Sequence, residues 1–103
     1  MTIDEIVSTL TAKAEGIQVP GPDVSIQIHI KGEGGGDLYV KITGGKSTVV
    51  PGVIQHPSVT ATLDMADFMA VMVRKSDPVS LYFLGKIQVQ GDIGLALKLK
   101  NLL

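Results

Sequence analysis

DPVSLYFLGKIQVQGDIGLALKLKNLL, residues 77–103, passes through a helix start, a tight turn, an alternating strand, a second turn and a closing helix. Asp77 offers a side-chain acceptor at an N-cap, and Pro78 puts a residue without N–H at the first helical position. Val79, Leu81, Tyr82, Phe83 and Leu84 follow, and Gly85 ends the segment. From Lys86 to Gln90 the chain alternates, with Ile87 and Val89 on one face and Lys86, Gln88 and Gln90 on the other, as in a half-buried strand. Gly91 stops that strand, and Asp92 can cap the helix after it.

On a wheel at about 100° per residue, Ile93, Leu95, Ala96, Leu97, Leu99, Leu102 and Leu103 cover well over half of the last helix. Gly94, Lys98 and Asn101 leave only a narrow polar strip, and Lys100 falls inside the apolar arc. A helix resting on one surface needs an apolar stripe of little more than ~100°. This helix therefore needs cover on two sides: its own sheet and a second helix, a second subunit or an apolar ligand.

Upstream, Val59 to Leu63 alternates as a strand, and Asp64 with Asp67 resembles a capping pair for a helix from Met65 to Arg74. That helix is also apolar beyond one stripe. Met65, Met69 and Met72 share a narrow arc, with Phe68 and Val71 to one side and Val73 to the other. The methionines can be plain core, or they can line a cavity, where a flexible, polarisable side chain adapts to varied apolar surfaces.

The first half supplies the rest of the sheet. Val24, Ile26, Ile28 and Ile30 point inward from a strand whose Ser25, Gln27 and His29 point outward, and Leu38, Val40 and Ile42 repeat the pattern. Gly44-Gly45 forms a two-residue hairpin turn that pairs Thr43 with Lys46 and turns Ser47 and Val49 inward. Before these strands, Thr2 and Glu5 make a capping box for a helix carrying Ile3, Ile6, Val7, Leu10 and Ala14 on one stripe. The elements add up to an α+β fold, a single domain over residues 1–103 with a five-stranded, mostly antiparallel sheet and helices on one face.

Composition narrows the function classes. A formal net charge of -1 provides no long-range attraction to nucleic acid or to an anionic membrane. Without cysteine there is no disulfide, thiolate metal site or cysteine nucleophile. MTIDEIV lacks the basic and apolar regions of a signal peptide, so a cytoplasmic protein with at most transient membrane contact is expected. Gly45-Lys46-Ser47 ends like a P-loop, but Val40 stands where the first glycine belongs and no helix follows. Gly91 to Gly94 and Gly32 to Gly36 read as turns. His29 and His56 have no carboxylate at ligand spacing and read as surface residues. No constellation of nucleophile and base emerges, so no enzyme, cofactor or metal is expected.

The strands followed by TATLDMADFMAVM and DPVSLYFLGKIQVQGDIGLALKL resemble the sterol carrier protein type 2 (SCP-2) domain family. The likeness spans roughly residues 5–103 and is most specific in the second half: the acidic helix cap, Asp77-Pro78, Phe83, Gly85-Lys86, Gly91 and the leucine-rich last helix. It implies an apolar tunnel holding a fatty acid, fatty acyl-CoA, phospholipid or sterol. It also implies that Met65, Phe68, Met69, Met72, Phe83, Leu84, Leu95, Leu99 and Leu103 line that tunnel. Lys100 is either a snorkelling side chain or a contact for a lipid head group. The chain ends Asn101-Leu102-Leu103, without the targeting tripeptide of peroxisomal members. A monomeric lipid carrier is the leading expectation, with a homodimer possible. The alternative is a non-catalytic accessory domain, for example in lipid or quinone metabolism, that docks on an enzyme or self-associates.

Overall fold

The structure, a computed structural model, describes residues 2–96. Helix α1 (Ile3–Ala14) opens with the capping box: the Glu5 N–H donates to Thr2 Oγ1 at 3.2 Å, and the Thr2 N–H donates to Glu5 Oε1 at 3.0 Å. Its Ile6, Leu10 and Ala14 are buried, which is the stripe expected from the spacing. Strands β1 (Val24–Lys31), β2 (Gly36–Thr43) and β3 (Lys46–Pro51) form an antiparallel meander. Thr43 faces Lys46 across a turn in which Gly44 and Gly45 have φ of 60° and 84°, the left-handed pair that a type I′ hairpin requires. The lysine and serine after Gly45 thus begin a strand, not a phosphate-binding loop.

Strand β4 (Val59–Asp64) lies beside β1 and runs parallel to it, and β5 (Gln88–Gly91) pairs antiparallel with β4. The order β3-β2-β1-β4-β5 makes the sheet mixed, with one parallel junction among four. Inward-facing Ile26, Ile28, Ile30, Leu38, Val40, Ile42, Val59 and Leu63 form the core with α1 and with Phe68 and Met72 of helix α2 (Met65–Met72). A short helix, α3 (Pro78–Phe83), and helix α4 (Ile93–Ala96 in the described residues) flank β5 in sequence.

Three local expectations change. Helix α2 stops two residues before Arg74, because Arg74 takes a left-handed φ of 60° and the N–H groups of Lys75 and Ser76 close onto the Ala70 carbonyl. Asp64 occupies the N-cap of α2 but its side chain makes no capping hydrogen bond; it lies 4.0 Å from Lys31 Nζ on the surface instead. Strand β5 starts at Gln88 and not Lys86, since the Lys86 N–H is held by the Leu81 carbonyl in the turn that closes α3.

The outer face of the sheet also differs from simple alternation. Gln27 is only 1% exposed although it points away from the core. The loop after β3 folds over it: Nε2 donates to the carbonyls of Leu38 (2.9 Å) and Gly52 (3.1 Å), and Oε1 accepts from the Ile54 N–H (2.9 Å). One strand position further on, His29 faces Asp37 across β1 and β2, and the Asp37 carboxylate accepts a hydrogen bond from Nδ1 at 2.5 Å. His29 is therefore a surface residue with a carboxylate partner, brought by strand register from eight positions away.

Candidate functional site

The site is built from side chains that the core does not use up. Around Ile6 of α1, helix and sheet meet in a filled interface, where Ile6, Leu38 and Ile42 are no more than 1% exposed. Towards β4 and β5 the described covering layer is made of α2, α3, six residues long, and α4. Helix α3 is too short to fill the space over the sheet. A cavity of about 260 Å³ results.

Its floor is the inner face of the sheet: Ile28 of β1, Val40 of β2, Val49 of β3, Ala61 and Leu63 of β4, and Val89 of β5. Leu10 of α1 and Phe68 and Val71 of α2 form one wall; Pro78, Val79, Tyr82 and Phe83 of α3, with Ile87, Ile93 and Ala96, form the other. The only titratable side chain among these is the Tyr82 phenol. Such a surface can shield an apolar chain from water, and it offers no acid–base pair for chemistry.

Helix α3 is set in place by its ends. The Asp77 carboxylate accepts from the Val79 N–H at 3.0 Å, Pro78 stands in the first turn, and Gly85 leaves with φ 76°. Tyr82 and Phe83 meet edge to face, centroids 5.6 Å apart. Phe83 lines the cavity yet is 78% exposed, so it stands at the rim.

Of the residues that the resemblance points to, Phe68 and Phe83 line the cavity. Met72 is buried in the core, and Met65, Met69 and Leu95 are half-buried against it, none in contact with the cavity. At about 100° per residue the methionines lie roughly 40–100° to one side of Phe68 and Val71 about 60° to the other, and it is the Phe68–Val71 side that faces the void. Leu84 follows α3 as its C-cap and is exposed, outside the lining. Leu99, Lys100 and Leu103 lie outside the described residues.

The sequence reading did not single out Leu10, Val71, Val79, Tyr82, Ile87 and Val89, or the floor of the sheet, as cavity positions. The signal was present in α3, whose Val79, Tyr82 and Phe83 recur at helical spacing in a segment too short to need them for its own packing.

Comparison with known proteins places this geometry. The SCP-2 sterol transfer family matches residues 7–103. Sterol carrier protein 2 of Homo sapiens is 40% identical over 63 residues, covering 61% of this chain and 12% of that protein. Hydroxysteroid dehydrogenase-like protein 2 of Xenopus tropicalis is 33% identical over 81 residues, covering 75% of this chain and 19% of that protein. The chain thus spans less than a fifth of the length of either relative. The solution NMR structure of palmitated SCP2L2 from Aedes aegypti aligns with a TM-score of 0.78 at 27% identity, over 97% of this chain and 92% of that one. With the family match running from α1 onward and a five-stranded sheet of the same fold, the chain belongs to the SCP-2 sterol transfer family and is a lipid-binding or lipid-transfer domain.

Proposed function

We propose that the chain is a non-catalytic carrier that holds one acyl chain, as a free fatty acid, an acyl-CoA or a phospholipid, in the cavity between the sheet and α2–α4. The observation that carries this reading is the lining, in which fifteen of sixteen residues have wholly apolar side chains and the sixteenth is Tyr82. Transfer of a chain into such a surface gains about 0.8 kcal/mol per buried methylene, so affinity grows with chain length and needs no particular head group. The palmitated relative, 27% identical over nearly the whole chain, supports an acyl ligand over a sterol. In this reading Phe68, Val71, Val79, Phe83 and Val89 contact the ligand.

Native mass spectrometry of freshly purified protein, followed by solvent extraction, is the test. A monomer carrying the mass of a fatty acid or phospholipid is expected, with a fluorescent fatty acid displaced by longer saturated chains more readily than by short ones. An empty dimer that also fails to take up the fluorescent chain would overturn the carrier in favour of an accessory domain.

A further inference from the structure

Helix α2 carries Phe68 and Val71 into the cavity wall, and Leu10 of α1 completes that side of it. The two helices rest on different strands, α1 on β2 and β3 and α2 on β1 and β4. A seam in the wall thus lies between two helices with separate supports.

A helix ends in four carbonyls that its own N–H groups leave unpaired. In α2 these belong to Met69, Ala70, Val71 and Met72. The following turn satisfies three of them. The Val73 N–H donates to the Met69 carbonyl at 3.1 Å, the Arg74 N–H to that of Val71 at 3.1 Å, and the Lys75 and Ser76 N–H groups to that of Ala70 at 2.8 and 3.2 Å. The Met72 carbonyl accepts instead from Lys13 Nζ at 3.3 Å, in a part-buried contact between residues 59 positions apart. Lys13 stands in the last turn of α1, just beyond Leu10, and Met72 directly follows Val71. The hydrogen bond therefore spans the seam.

Charge fits the same link. The carbonyl end of a helix favours a cation, and α2 has no basic residue in its last turn. Lys13 supplies one from α1, and it forms no salt bridge among the described residues that would draw it elsewhere. At the opposite end of α2, Asp64 makes no capping hydrogen bond. Of the two ends of this helix, the one at Met72 is the one that a side chain holds.

We propose that Lys13 is a positioning residue for the lipid site. Its ammonium clasps the Met72 carbonyl and keeps the α2 side of the wall, Phe68 and Val71, against Leu10. When the bond lets go, the end of α2 moves outward, the seam opens, and the acyl chain gains a way past the wall. Ligand exchange then depends on one hydrogen bond to a helix end, which opens and remakes readily. The proposal rests on the carrier reading for the ligand; the clasp itself is tested without one.

The test compares Lys13→Met, which keeps an aliphatic stem and removes the donor, with Lys13→Arg, which keeps donor and charge. In native-state hydrogen exchange without ligand, Lys13→Met is expected to speed the amides of Met69 to Val73 by about fivefold or more, the scale of one lost hydrogen bond, while those of β1 and β2 stay as in the parent. In stopped-flow mixing with a fluorescent fatty acid, association and release are both expected to quicken by about threefold or more, so that the rates move further than their ratio. Lys13→Arg is expected to return both readouts to within about twofold of the parent, since arginine can also serve a helix carbonyl end. Faster exchange across the whole sheet with unchanged association would make Lys13 a contributor to fold stability alone and overturn the proposal. Parent-like α2 amides or parent-like rates in Lys13→Met overturn it too, as does failure of the arginine to rescue, and each leaves the carrier intact. A parent that takes up no fluorescent chain overturns the carrier reading and the gating with it, while the α2 amides still report whether the clasp holds the helix.

Discussion

The two ends of the sheet receive different treatment from the helices. Over β2 and β3 lies α1, twelve residues long and capped by a box of two reciprocal hydrogen bonds. Its Ile6, with Leu38 and Ile42 of β2, is no more than 1% exposed. Towards β4 and β5 the described cover is α2, the six-residue α3 and the described turn of α4, and Ile87 and Val89 remain half-buried. Both regions contain inward-facing aliphatic side chains at strand spacing. What separates them is the cover: the long amphipathic α1 packs closely around Ile6, while a void opens beside α3 and reaches Leu10 of α1, Val40 and Val49. Apolar surface around Ile6 stabilises the fold, and apolar surface at the void borders open space.

Truncation should expose this contrast most strongly. Ile6→Ala is expected to lower unfolding free energy by about 2–5 kcal/mol, because a filled site cannot collapse around the missing atoms. Ile87→Ala, at the cavity wall, should cost about 1 kcal/mol, since its side chain is already half free of neighbours. Urea unfolding of both variants measures the difference, and equal losses would mean that the void closes in solution.

Enlargement should run the other way. Ile6 of α1 is wholly buried and outside the cavity lining, and Ile6→Phe is expected to cost about 1–3 kcal/mol through forced repacking. Ala61 lines the cavity, and Ala61→Phe should leave stability within about 1 kcal/mol while reducing uptake of a fluorescent fatty acid by about tenfold or more. A stability loss at Ala61 as large as that at Ile6 would remove the distinction between the regions.

The outer face provides a smaller contrast between packed and open surface. Gln27→Leu would leave two carbonyls and the Ile54 N–H without their side-chain partner, a loss of about 1–3 kcal/mol by urea unfolding, and should loosen the loop around Gly52 to amide exchange.

The smallest effect belongs to the α1 cap. Thr2→Ala should cost about 0.5–2 kcal/mol. Hydrogen bonds from the Thr2 backbone and side chain hold the Glu5 carboxyl below the ordinary glutamate range. A lowered folded value means that this contribution is complete above the unfolded value and is lost as pH falls through the folded one. Acid titration of α1 helicity should show that loss in the parent and a weaker one in Thr2→Ala.

Much of this architecture was legible in the residues. The capping box, the Gly44-Gly45 hairpin and the alternation of β1 and β2 are local, and local patterns carry their own geometry. The need for cover beyond the sheet was visible in the excess apolar surface of the middle helix. What the wheel could not provide was the rotation of that helix about its axis: it separated the methionines from Phe68 and Val71 without telling which side faced the void. Gln27 faces outward as alternation has it, but alternation cannot show that a loop 25 positions away returns to cover it. The Asp37 partner of His29 likewise depends on strand register, not on sequence spacing.

The parallel pairing of β1 with β4 has a kinetic side. The β1–β2–β3 meander can zip from its turns, but Ser25 and Ser58, which clasp each other at the start of the parallel junction, are 33 residues apart. Closing that loop must await the meander, and long-range pairings of this kind slow folding. The half of the molecule that follows β4, with α2, α3, β5 and the cavity between them, is therefore the last to form and the first to open. In native-state hydrogen exchange its amides should exchange ahead of those of β1 and β2, so that the region around the cavity is also the least protected foldon.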